Sequence, residues 1–179
     1  MGELDGKVAI ITGAGRLRGI GRAAAVSLAR LGADVVVTGT GRDPSSFPDD
    51  EKAINWKDVE SVAEQVRAEG RRALTLTVDV TSRDDVQNMI DRTVDEFGRI
   101  DILINNAAFA RGVDRVPILE LDEDVFQKVM DIKVTGTFLC TKAAISHMIE
   151  QGEGGKIVNI SSTAGKRGSA NTLAYNGAN

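Results

Sequence analysis

An α/β fold, a doubly wound parallel sheet with helices on both faces, is predicted by three features of the 179-residue sequence. Short apolar runs alternate with longer amphipathic ones almost from end to end. The short runs are β-branched and lack polar alternation, as strands covered on both faces require. A glycine-rich stretch stands directly between the first such run and the first helical one.

KVAIIT (7–12) is the first strand, and GRAAAVSLARLG (21–32) has helical spacing up to Gly32, a natural C-terminal cap. DVVVT (34–38) is the second strand. The polar connection GTGRDPSSFPDDEKAIN (39–55) holds two of the three prolines and reads as a tolerated surface insertion. Trp56 to Glu69 is a helix stopped by Gly70, and RALTLTV (72–78) the third strand. Arg83 to Phe97 is a helix stopped by Gly98, and IDILIN (100–105) the fourth strand. A long helix from Asp124 to Gln151, a fifth strand KIVNIS (156–161) and a helix beginning near Ala174 complete the order. Strand and helix alternating in this way imply right-handed crossovers within one domain over 1–179.

Composition narrows the function. Apolar residues make up 42% and charged residues 27%, the balance of an ordinary globular domain with a proper core. The net charge is -4 and the basic residues are scattered, which argues against nucleic-acid binding. A single cysteine, Cys140, excludes an internal disulfide, and a single histidine, His147, argues against a histidine metal site or a Ser-His-Asp triad. No metal is expected. The opening MGELDGK has no signal-peptide character and no apolar run is long enough to span a membrane, so a soluble cytoplasmic protein is expected.

TGAGRLRGIG (12–21) carries the clearest chemistry. Glycines let the backbone turn tightly and approach a pyrophosphate, and the start of the following helix offers free N–H groups and a favourable dipole. A purely structural strand-to-helix turn is the plainer alternative.

Four ordered motifs resemble the short-chain dehydrogenase/reductase family. They are TG…GIG after the first strand, NNAA (105–108) after the fourth, NISS (159–162) after the fifth, and Tyr175 thirteen residues beyond Ser162. The resemblance implies a Rossmann-like sheet that lacks the family's last strands, belonging to a longer protein or to a form that folds with help from a partner chain. It implies an NAD(P)(H)-dependent oxidoreductase acting on a small-molecule carbonyl/alcohol pair, working as a homo-oligomer. Gly13, Gly19, Ile20 and Gly21 would hold the cofactor phosphates, Asp79 and Val80 the adenine, and Asn106, Ala107 and Ala108 the ribose path. Asp79-Val80-Thr81 would also serve as a cap for the next helix.

The family usually reads TG-x3-G-x-G, whereas five residues separate Gly13 from Gly19 here. The extra length brings in Arg16 and Arg18, each facing either phosphate or water. The cofactor choice turns on the end of the second strand, where a carboxylate would suit the ribose hydroxyls of NAD(H) and repel the 2′-phosphate of NADP(H). Gly39, Thr40, Gly41 and Arg42 stand there, with Asp43 one residue further. Thr40 and Arg42 favour NADP(H), with NAD(H) open.

The resemblance makes Tyr175 the general acid/base and Ser162 the residue that steadies the substrate oxygen. Two positions depart from the family. Asn179 stands where its lysine belongs, four residues after Tyr175, and Lys133 stands where its asparagine belongs in the long helix. A compensating exchange, in which Lys133 supplies the missing cation, is one account. Two independent losses, or a terminal residue that does not represent the native chain, are others. A protein that binds the cofactor without turnover is therefore the alternative function. A methyltransferase on a similar sheet would share the glycine loop, but it leaves NNAA and the Ser162–Tyr175 spacing unexplained.

Overall fold

The computed structural model describes residues 2–179. Five parallel strands, β1 (Val8–Ile11), β2 (Asp34–Gly39), β3 (Ala73–Thr77), β4 (Ile102–Asn105) and β5 (Lys156–Asn159), form one sheet in the order β3-β2-β1-β4-β5. The order reverses direction between β1 and β4, and ligands of such sheets bind in the crevice at the strands' C-terminal ends there. Ile11 lies in register with Val37 on one side and Ile104 on the other.

The described residues form seven α-helices: α1 (Ile20–Arg30), α2 (Asp49–Ala53), α3 (Val59–Ala68), α4 (Arg83–Phe97), α5 (Glu123–Met130), α6 (Gly136–Glu150) and α7 (Leu173–Ala178). Alternate residues of β1 point to opposite faces, so Ile10 joins a core with Met89, Ile90 and Leu139 from α4 and α6. Ala9 and Ile11 join a second core with Ala25, Ala29, Val62 and Val66 from α1 and α3. α4 starts with Ser82, whose side chain accepts from Asp85 N–H, and ends at Gly98 in the left-handed conformation.

Three expectations change. The helix read from Trp56 begins at Val59, because Asp58 has φ 52° and ψ -127° and breaks the turn. The helix read as continuous from Asp124 carries a π-helical turn over Asp131–Thr135, between α5 and α6. The connection after β2 is no surface insertion: Phe47 and Trp56 are buried in the α1/α3 core, and Glu51 is only 2% exposed. Two large apolar side chains in a polar stretch are reason enough for it to fold inward, since their burial is worth about 1.5–3 kcal/mol each.

Candidate cofactor and catalytic site

The ends of β1 and β4 are tied together by side chains. Thr12 is buried, and its Oγ1 accepts from the N–H groups of Asn106 (3.0 Å) and Ala107 (3.1 Å). Asn106 Nδ2 returns to the carbonyls of Thr12 and Gly13, both at 2.9 Å. Gly13 has φ +64°, and a Cβ there would stand 2.8 Å from Ala107 Cα, so only glycine fits. A Cβ on Gly21 would meet Asn106 Nδ2 at 2.6 Å. These glycines keep the loop against the β4 turn. Asn105 extends the tie, donating to Thr141 Oγ1 (3.0 Å) and to Asn159 Oδ1 (2.9 Å).

Above this seam lies a cavity of about 610 Å³ lined by Gly13, Gly15, Arg16, Gly39, Thr40, Arg42 and Asp58 at one end. Asp79, Val80, Ala107 and Ala108 continue the wall, and Asp131 and Ile132 close it. The glycine loop in that wall leads into α1, whose first turn has no side-chain cap and no acidic residue. Its leading N–H groups have no intrahelical partner. Volume, glycine wall and uncapped helix start fit a nucleotide cofactor with an anionic diphosphate. Asp79 does not cap α4; its Oδ1 accepts from Thr81 N–H and hydroxyl, while Ser82 is the cap.

Of the residues expected around a cofactor, Gly13, Arg16, Thr40, Arg42, Asp79, Val80, Ala107 and Ala108 line this cavity. Gly19, Ile20, Gly21 and Asn106 do not line it: Gly21 and Asn106 belong to the seam beneath, and Ile20 is exposed. Arg18 is turned away, its side chain 82% exposed and paired with Asp50 at 2.6 Å. Arg42, expected as a free donor for phosphate, is already committed. Its guanidinium lies between Glu51 (2.9 Å) and Asp58 (2.9 Å), stacked over Phe47. Burial alone would lower its pKa, but hydrogen bonds to Asp58 and Glu51 outweigh that and raise it.

The same two carboxylates belong to the long connection, which also grips the glycine loop. Glu51 Oε1 accepts from Leu17 N–H at 2.8 Å, and the indole of Trp56 donates to the Gly15 carbonyl at 2.6 Å. Asp58 occupies the first central position of a turn closed by Glu60 N–H and the Lys57 carbonyl (3.1 Å). That backbone conformation is one glycine normally fills, at a cost to aspartate of about 1–3 kcal/mol.

The expected catalytic residues gather at the end of β5, outside the cavity lining. Ser162 caps a short 3-10 turn over Thr163–Gly165, its Oγ accepting from Ala164 N–H at 3.2 Å. Tyr175 lies on α7, half-buried, with the Arg115 guanidinium 4.0 Å from its ring centroid. Arg115 in turn faces the buried Asp114 at 3.1 Å. Asn179 Nδ2 donates to the Tyr175 carbonyl (2.8 Å), and its own carbonyl accepts from Ser161 Oγ (2.8 Å). Lys133 sits in the π-helical turn, a feature frequent at functional sites, and its ammonium donates to the Ile160 carbonyl, two residues before Ser162. Burial lowers its pKa. No hydrogen bond joins Lys133 to Tyr175 among the described residues.

Thr12, Glu51, Trp56, Asp58 and Arg115 escaped the sequence reading. Trp56 had a signal, an isolated large apolar residue in polar surroundings. Asp58 had none, because only the folded connection carries it to the end of β2.

Comparison with known proteins follows the same lines. Residues 7–178 match the family model for short chain dehydrogenases. The short chain dehydrogenase/reductase astE of Aspergillus oryzae is 40% identical over 173 residues, 97% of this chain and 60% of its own. The 2-dehydro-3-deoxy-D-gluconate 5-dehydrogenase of Escherichia coli is 38% identical over the same shares. Among solved structures, carveol dehydrogenase from Mycobacterium avium in complex with NAD matches with a TM-score of 0.86 at 33% identity. That match covers 99% of this chain and 62% of the other. NAD+-bound xylitol dehydrogenase gives 0.83 at 35%, covering 98% and 60%. This chain thus spans about three fifths of the length of the relatives it matches. No helix among the described residues is long and apolar enough to cross a membrane, and no cluster of His, Cys, Asp or Glu among them is placed to hold a metal.

Proposed function

The chain belongs to the short-chain dehydrogenase/reductase family, and from that premise we propose an NAD(P)(H)-dependent oxidoreductase that interconverts a carbonyl and an alcohol. The observation that carries the reading is the cavity walled by the glycine loop before the uncapped α1. A bound nicotinamide would supply or take the hydride. Gly13 and Ala107 hold the wall at close approach, and the α1 N-terminus would receive the diphosphate. Ser162 Oγ orients the substrate oxygen by hydrogen bonding, and Tyr175 Oη gives it a proton or takes one away.

As they stand in sequence, Thr40 and Arg42 favour NADP(H). The two ion pairs of Arg42 take its guanidinium out of that role, while Thr40 stays in the cavity wall, and NAD(H) becomes the form we propose. Small-molecule carbonyls or alcohols are the substrates, and pairing of subunits is part of the reading.

Tyr175→Phe is the test. Turnover in a carbonyl and alcohol screen should fall about 10²–10⁴-fold, while NADH binding, followed by nicotinamide fluorescence, stays as it was. Unchanged turnover would remove Tyr175 from the chemistry. A second reading, cofactor binding without turnover, is favoured by Asn179, which brings no cation to Tyr175 and instead binds its backbone carbonyl. Binding by the unaltered chain with no turnover on any substrate selects it.

A further inference from the structure

Two lengthenings of this chain, in the glycine loop and in the connection after β2, meet in space. The loop gives its Gly15 carbonyl to Trp56 and to Arg42 (3.3 Å), and its Leu17 N–H to Glu51. At the centre stands Asp58, with its side chain 10% exposed and in the cavity wall beside Gly39. A Cβ on Gly15 would collide with Asp58 Oδ1, so the loop passes directly against this carboxylate. The end of β2 therefore does carry an acidic group, delivered from sixteen residues beyond Arg42.

We propose that Asp58 is the residue that selects the cofactor, accepting a hydrogen bond from the adenosine ribose of NAD(H) and repelling the 2′-phosphate of NADP(H). The assignment rests on the nicotinamide-cofactor reading above and adds the residue that discriminates. Oδ1 accepts from Arg42 Nη2 (2.9 Å) and Nε (3.3 Å), and Oδ2 accepts, among the described residues, only from the Arg42 N–H (3.3 Å). A carboxylate has about four acceptor positions, so one on Oδ2 is left for a ligand hydroxyl. Glu51, Arg42 and Asp58 together carry one net negative charge, which leaves Arg42 no surplus to offer a phosphate. Arg16 and Lys128 are the cations of the wall that form no ion pair among the described residues, and Arg16 stands on the loop that would meet the diphosphate common to both cofactors.

Asp58→Asn keeps the shape and takes the trio from one negative charge to none. NADH and NADPH are titrated separately by nicotinamide fluorescence against the unaltered chain and the variant. The unaltered chain should bind NADH more tightly. In Asp58→Asn, NADH affinity should fall about 10-fold, the scale of one hydrogen bond to a charged group. NADPH affinity should rise as Arg42 is released. Asp58→Gly, which suits the backbone conformation better than aspartate does, should move the ratio the same way and keeps the test open if the asparagine variant folds poorly. Trp56 emission serves as the check on folding. Binding of both cofactors with an unchanged ratio in the variants, or a preference of the unaltered chain for NADPH, overturns the role of Asp58 alone. Binding of neither by the unaltered chain overturns the cofactor reading and this inference with it.

Discussion

Lys133 and Asn179 stand in each other's expected places, and the structure gives each a definite partner. Asn179 closes the last turn of α7 and contacts Ser161, so it braces the backbone of Tyr175. Lys133 anchors the π-helical turn to the end of β5 through Ile160. An ammonium has three donors, so this one bond leaves two for substrate or water near Ser162. A cation there has to act within about 4–6 Å to matter for proton transfer. Replacing Lys133 by methionine keeps the apolar stem and removes the charge. Turnover should fall about 10-fold or more if Lys133 serves the reaction, with cofactor affinity unaltered. Unchanged kcat would confine Lys133 to holding β5. The residue types were legible in sequence; the Lys133–Ile160 and Ser161–Asn179 contacts were not, because they join positions 27 and 18 residues apart.

At the scale of elements, the sheet was the most legible part. All five strands lie where the apolar runs placed them, but only β1, β2 and β4 are covered on both faces, while β3 and β5 are the partly exposed edges. Boundaries moved where side chains outvoted periodicity, as at Asp58. Asp101, at the entry to β4, shows how the strands are locked from below. Its carboxylate accepts from Val8 N–H (2.9 Å) and pairs with Arg99 (2.6 Å) and Lys7 (3.1 Å). Burial pushes its pKa up, but the Arg99, Val8 and Lys7 contacts outweigh burial and hold it below the ordinary value. A depressed folded pKa adds stability that is complete above the unfolded value, about 3.9, and is lost as pH falls through the folded one. Asp101→Asn should cost about 2 kcal/mol in urea melts at neutral pH. The difference from the unaltered chain should shrink as pH drops below about 4; a gap independent of pH would mean that shape, not charge, is what Asp101 supplies.

Across the whole molecule, apolar surface is unevenly spread. Val134, Phe138, Ile145 and Ile149 are exposed along the 134–149 stretch of the long helix, the last at 71%, and β5 is one of the two sheet edges, with Val158 exposed as well. Isolated exposed residues need no explanation, whereas a stripe along one helix is the kind of surface that the proposed pairing of subunits would cover. Phe138→Lys combined with Ile149→Lys should shift sedimentation toward the monomer and leave the thermal midpoint of the subunit within a few degrees, since surface changes cost about 0.5 kcal/mol. An unaltered association state would place the contact elsewhere. This stripe was hidden in sequence because apolar residues recur all round the long helix and only the fold decides which of them are covered.

The grip between the glycine loop and the 40–58 connection has a consequence for inheritance and for engineering. Gly15 makes room for Asp58, Leu17 is tethered by Glu51, and Trp56 closes over the loop carbonyl. Neither segment makes sense without the other. Transplanted singly into a sibling enzyme, the long loop would lose its tethers and the long connection its docking ledge. The two lengthenings form a single structural unit, interrupted in the chain by α1 and β2 but continuous in space.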